Sequence, residues 1–224
     1  MTFLPSWPER LRIDHADNLG DAFGDVGTKV GSRVGTRPRT HALKEWWCMR
    51  RYIFTLAGAQ LVQFPISIQK SERPDFRCEF GTRRMGVEIT EATHWRDQRE
   101  LTMIYKQDAV ILQGTFGGRF PNGTGGNGAV RAWLADLLRG TRAKSRAVRG
   151  FPNALPEYSL LLYSNSNAAR SIREWRGAFA ALEEVNQRLW KGMDPSIDSV
   201  AVICGDWLLI TKPNSIQHYP LISD

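Results

Sequence analysis

Arg73-Pro-Asp-Phe-Arg-Cys-Glu-Phe-Gly-Thr-Arg-Arg-Met-Gly-Val-Glu-Ile-Thr-Glu91 reads as a β-hairpin. From Pro74 to Phe80 the residues alternate, with Asp75, Arg77 and Glu79 on one face and Phe76, Cys78 and Phe80 on the other. Gly81-Thr82 is a turn signal. The alternation resumes with Met85, Val87 and Ile89 against Gly86, Glu88 and Thr90. Side chains along a strand point to opposite faces with period two. With both apolar rows on one core, Asp75 and Glu88 stand together on the opposite face. Two carboxylates on adjacent strands make a site for a hard divalent cation, which prefers oxygen ligands.

Outward from the hairpin, the chain alternates helical and extended patterns. Thr40 to Leu61 reads as a helix capped by Thr40, with Leu43, Trp46, Trp47, Arg50, Phe54 and Ala57 at helical spacing. Val62 to Gln69 alternates as a strand, with Pro65 suggesting an edge or a bulge. Downstream, Glu91 to Gln113 reads as a helix carrying Lys106, Gly114 to Gly128 as a flexible glycine-rich loop, and Ala129 to Leu138 as a further helix. Arg139, Arg142, Lys144, Arg146 and Arg149 then fall within eleven residues that contain no acid. Such a run is either a solvated loop or a contact for a phosphate backbone, whose affinity is salt-dependent and sequence-independent. Tyr158 to Tyr163 is an apolar run suited to a buried strand, and Ser171 to Lys191 is an amphipathic helix. Val200 to Cys204 and Trp207 to Ile210 are strands joined by the turn Gly205-Asp206, and the tail to Asp224 reads as coil.

Composition narrows the class. At 224 residues, with eight tryptophans, the chain suits one domain with extensions. Residues 1–39, with glycine at nearly every third or fourth position from Gly20 to Gly35, read as a glycine-rich arm, and residues 40–224 as the folded domain. No run of eighteen apolar residues exists, so no membrane span is expected. Met1 to Ile13 lacks the apolar core of a secretory signal, and a cytoplasmic location is expected. Cys48, Cys78 and Cys204 read as buried reduced thiols, and the four histidines are scattered. The net charge of +7 permits attraction to a polyanion, of which nucleic acid is the commonest. The glycine-rich loop lacks the Gly-Lys-Ser/Thr ending of a nucleotide-binding loop. No Ser-His-Asp arrangement, nucleophile elbow or dinucleotide fingerprint is present, which argues against hydrolases and oxidoreductases of those kinds.

Pro74-Asp75 followed by Glu88, in the local form Glu72-Arg-Pro-Asp-Phe and Gly86-Val-Glu-Ile-Thr-Glu91, resembles the PD-(D/E)XK nuclease superfamily. The resemblance implies an α/β fold with a restriction-endonuclease-like core, a central mixed sheet flanked by helices. It implies a magnesium- or manganese-dependent endonuclease in which Asp75, Glu88 and the backbone carbonyl of Ile89 hold Mg²⁺ (or Mn²⁺). The superfamily places a lysine two residues after the second acid, where this chain has Thr90. Threonine hydrogen-bonds to a water but supplies no positive charge. Lys70, five residues before Asp75, is one substitute. Arg73, Arg77 and Arg84 are others, as electrostatic clamps that keep their protons. Glu45, on the helix before the hairpin, matches an acid that the superfamily often presents to the metal.

Two functions stay open at this point. One is a metal-dependent nuclease with Asp75, Glu88, Lys70, Thr90 and Glu45 at its site and Arg139, Arg142, Lys144, Arg146 and Arg149 on the nucleic acid. The other is a catalytically inactive nuclease-fold subunit that binds nucleic acid or assembles a complex. DNA ranks ahead of RNA as the partner, and a homodimer or a subunit of a larger defence or mobile-element complex is the implied assembly. A third, plainer reading makes the hairpin acids ordinary surface residues of an unrelated α/β protein.

Overall fold

The computed structural model describes residues 9–24, 41–92, 127–148, 155–164, 169, 172, 175–191 and 193–222. In chain order the elements are β1 (Arg10–Ile13), a 3-10 turn (Ala16–Asn18), α1 (Leu19–Phe23), α2 (His41–Gly58), β2 (Ile66–Lys70), β3 (Phe76–Phe80), β4 (Arg83–Glu91), α3 (Asn127–Val148), β5 (Tyr158–Ser164), α4 (Trp175–Trp190), β6 (Ser199–Cys204), β7 (Trp207–Lys212) and β8 (Ser215–Pro220). The eight strands form one mixed sheet whose spatial order is the chain order, β1 to β8. β4, β5 and β6 run parallel, and every other neighbouring pair is antiparallel.

The hairpin forms as its alternation predicts. Phe76 pairs with Val87 and Cys78 with Met85, so the two apolar rows share a face and all four are buried. Gly81 turns the chain at a φ of +60°, in the left-handed region that glycine enters without steric cost. The apolar rows pack against α2, whose Trp46, Met49, Ile53 and Leu56 form its buried stripe, and against Leu19 and Phe23 of α1. Among the described residues the opposite face is apolar over β5 to β8, where Leu160, Leu162, Val202, Leu209 and Ile216 pack with α3 and α4. The molecule is thus an α/β protein with one sheet between helical layers.

Several sequence-based boundaries are corrected. The arm expected over residues 1–39 does not stand apart over its whole length: β1 pairs with β2, and Leu19 and Phe23 enter the core. β2 begins at Ile66 rather than Val62, immediately after Pro65. Glu91 ends β4 instead of opening a helix. The tail is not all coil, because Ser215–Pro220 pairs with β7. The helix expected to stop at Leu138 continues to Val148, so the basic run is helical and is no loop. The remainder of the expected 91–113 helix with Lys106, most of the 114–128 loop, and Arg149 lie outside the described residues. No described helix is long and apolar enough to cross a membrane.

Candidate active site at the carboxyl end of β4

Asp75 precedes β3 by one residue and, continuing the β3–β4 register, lies opposite Glu88. There the regular ladder has ended, and side chains take over its hydrogen bonding. The Ile89 amide donates to Asp75 Oδ2 at 2.7 Å, and the Asp75 amide donates to Glu88 Oε2 at 3.1 Å. Each acid is therefore fixed by the main chain of the other strand. Ser71 closes the approach to this corner, its hydroxyl donating to the Pro74 carbonyl and its amide to the Asp75 carbonyl at 2.9 Å.

Two lysines meet the acid pair from opposite helical layers. Lys70 lies on the α2 side of β2, over the ring of Phe76 at 4.6 Å. Its Nζ is 2.6 Å from Glu45 of α2 and 3.8 Å from Asp75 Oδ1. Glu45 is buried one turn ahead of Met49, on the stripe of α2 that faces the sheet. From the other layer, Lys144 of α3 donates to Glu88 Oε1 at 2.5 Å. Side-chain exposures of 7% for Glu88, 14% for Asp75, 27% for Lys70 and 30% for Lys144 describe a sheltered cluster that solvent still reaches through its lysines.

The structure sets Lys144 on Glu88, apart from the arginine neighbours with which the sequence reading grouped it. Successive helical residues are rotated by about 100°, so one basic run is distributed around the axis. Leu137, Thr141, Ser145 and Val148 make the buried stripe of α3, and Lys144 borders it. The Thr141 hydroxyl donates to the Leu137 carbonyl at 2.7 Å, and Ser145 Oγ accepts from the Asp194 amide at 2.7 Å. These contacts hold the turn that delivers Lys144. Arg139, Arg142 and Arg146 lie on the exposed side, away from the acids, and Arg139 pairs with Asp136 at 3.0 Å. The sequence signal was available: the run from Leu137 to Val148 has helical spacing, hidden by the poor helix formers Gly140 and Thr141.

The electrostatics follow from the placement. Among the described residues the cluster holds three carboxylates, Glu45, Asp75 and Glu88, against Lys70 and Lys144, one negative charge in excess. Burial raises the Glu88 carboxyl above its ordinary value of 4.5; the hydrogen bond from Lys144 opposes this, and the charge of Asp75 adds to it. Thr90 is two residues further along the same face of β4 and is half-buried. Glu91 is paired instead with Lys44 at 3.3 Å.

Among the described residues no three His, Cys, Asp or Glu side chains converge as a ready-made metal cage. A magnesium site needs fewer protein ligands, since Mg²⁺ keeps several waters and commonly takes one or two carboxylates plus substrate phosphate oxygens. Asp75 Oδ1 and Glu88 Oε1 accept no backbone amide in the reciprocal pair. With the Ile89 carbonyl, which the resemblance implies as a third ligand, they would give an all-oxygen donor set of the kind a hard cation takes. Cys48, Cys78 and Cys204 are buried thiols away from this set, and burial pushes the Cys78 and Cys204 thiols up, out of the reactive range.

The chain matches no known protein-family model, no curated protein and no solved structure.

Proposed function

We propose that this protein is a metal-dependent phosphodiesterase, an endonuclease with a restriction-endonuclease-like core, acting on DNA in preference to RNA. The observation that carries the reading is the reciprocal fixing of Asp75 and Glu88, with a lysine on each. The element order supports it: the superfamily that the chain resembles has a minimal core of helix, three strands, helix and strand, and α2, β2 to β4, α3 and β5 follow one another in that order.

Asp75, Glu88 and the Ile89 carbonyl would hold the divalent cation. The bound cation supplies an acidified water and neutralises charge on the phosphate. Lys144 takes the part that the residue at Thr90 cannot: it carries a positive charge to the second acid from a helix instead of from the strand. In that position its ammonium orients a water or a phosphate oxygen by donating a hydrogen bond. Lys70, held by Glu45 and by the face of Phe76, supports Asp75 in the same way from the other layer. The homodimeric or larger assembly and the cytoplasmic setting belong to the same proposal.

One observation favours the rival reading. The lysines already compensate the acids, Lys144 at 2.5 Å from Glu88 and Lys70 at 3.8 Å from Asp75. In an inactive nucleic-acid-binding or assembly subunit the same pairs would serve as internal ion pairs. Nicking of labelled double- and single-stranded DNA and RNA with Mg²⁺ or Mn²⁺ separates the two. Cutting by wild type, lost in both Asp75→Asn and Glu88→Gln, supports the enzyme. Binding without cutting, unchanged in both variants, would leave the subunit.

A further inference from the structure

Among the described residues, the face of the sheet that carries Glu88 is covered by α3 and α4 over β5 to β8 and by α3 at the carboxyl end of β4. Over β1 to β4 no apolar residue from β1, β2 or β3 joins that second core, and the outward positions are polar instead. They line up across strands. Arg10 pairs with Gln69, Gln69 with Arg77, and Arg77 with Gly86, which makes one row running from β4 to the sheet edge. The adjacent row places Ser67 beside Glu79 and Glu79 beside Arg84. Together these side chains line an open groove of about 220 Å³.

The groove shares its sheet face with the acid pair, with Pro74 and the Tyr158 ring standing at Gly86 between them. Arg77 is two residues from Asp75 on one strand face, and Arg84 is four residues from Glu88, so the rows are separated by about 7 Å. Its charge is positive. Glu79 is the acid in it, engaged by Arg10 at 3.6 Å, and among the described residues Arg77 and Arg84 pair with no carboxylate. An arginine presents a planar fork that matches phosphate oxygens, and Ser and Gln add neutral hydrogen-bonding groups of the kind that fix a backbone in register.

We propose that this sheet face is the cradle for the DNA backbone, with Arg77 and Arg84, assisted by Arg10, holding the phosphates that run from the Asp75–Glu88 pair towards β1. The assignment rests on the phosphodiesterase reading and adds to it the path of the substrate. It also selects between two basic surfaces. The arginines on the outer side of α3 lie on the far side of that helix from the acid pair, whereas Arg77 and Arg84 share the strand face of the pair.

The test is fluorescence anisotropy of a labelled DNA duplex with the full-length chain in Ca²⁺ over a series of salt concentrations. Cleavage in Mg²⁺ is followed in parallel. Arg77→Ala/Arg84→Ala is expected to weaken binding tenfold or more and to lower the log Kd against log salt slope by about 2, the loss of two phosphate contacts. Arg77→Lys/Arg84→Lys should keep most of the slope, because the charge remains. Arg142→Ala/Arg146→Ala should weaken binding less than the sheet-face pair does. Wild-type affinity and slope in Arg77→Ala/Arg84→Ala, a larger loss from the α3 pair, or no binding by wild type would each overturn the cradle. The two readings fail separately. Tight sheet-face binding without cutting leaves the cradle and removes the enzyme, while cutting that ignores Arg77 and Arg84 leaves the enzyme and removes the cradle.

Discussion

Asp75 and Glu88 are held by each other's strands: Glu88 accepts the Asp75 amide, and Asp75 accepts the amide of Ile89, the residue after Glu88. The two carboxylates thus do structural work and face the same corner. Asp75→Asn keeps an acceptor for the Ile89 amide and should fold with nearly wild-type stability while cleavage falls to background. Asp75→Ala leaves that amide without its partner and should cost about 1–3 kcal/mol as well. Urea unfolding beside a nicking assay distinguishes the two losses.

Glu88 yields a pH prediction. Its folded-state value lies above the ordinary 4.5, with burial as the leading cause. The fold therefore favours the protonated acid. That contribution to stability is fully present below 4.5 and is lost as pH rises through the raised folded value. Glu88→Gln, which stays neutral, should gain stability relative to wild type as pH rises across that window. Urea midpoints of both proteins from acid to neutral pH provide the measurement. Drift in the opposite direction would show that Lys144 outweighs burial.

Lys144→Met removes the ammonium from a nearly buried carboxylate. We expect a loss of about 1–3 kcal/mol, a further upward shift of the Glu88 carboxyl and a collapse of cleavage. Thr90 is on the same strand face, two residues on. Thr90→Lys in the Lys144→Met background should recover part of the lost cleavage by restoring a cation from the strand. Failure of the double variant to exceed Lys144→Met would argue against an active role for that charge.

Gly86 makes room for the corner. A Cβ there would stand 2.7 Å from Pro74 Cγ and 2.7 Å from the Tyr158 ring, and neither is the far end of a flexible chain. Gly86→Ala should destabilise the fold by about 1–3 kcal/mol through overpacking. Because Pro74 would shift first, Asp75 should move with it, and cleavage should fall by more than the stability loss explains. Thermal melts together with nicking rates of the folded protein check this.

The hairpin was legible because its period-two pattern, its turn and its paired acids all lie within one short stretch. The buried strands β5 and β6 were legible as apolar runs. The sheet edges were not. Arg10–Ile13 and Ser215–Pro220 are largely polar and become strands through pairing with β2 and β7. Such edges have one unpaired side facing solvent and need no apolar alternation. The carboxyl half of α3 was missed for the opposite reason. Its Gly140, Thr141 and Ser145 are weak helix formers, and packing against the sheet and the Asp194 amide overrides that weakness. The site inherits this division. Asp75 and Glu88 are neighbours in a local hairpin, whereas Lys144 reaches Glu88 from 56 residues away, a contact that only the tertiary fold specifies.

Lys70 and Lys144 reach the acids from opposite sides of the sheet, one beside α2 and the other from α3. A cation that competes for those carboxylates alters ion pairs in both layers at once. Its free energy of binding is then set against the docking of the two helices onto the sheet, so occupancy should be felt as faster amide exchange in both, far beyond the ligating atoms. If a cation binds there, loosening either layer should ease its entry by drawing a competing lysine away, before any acid is touched.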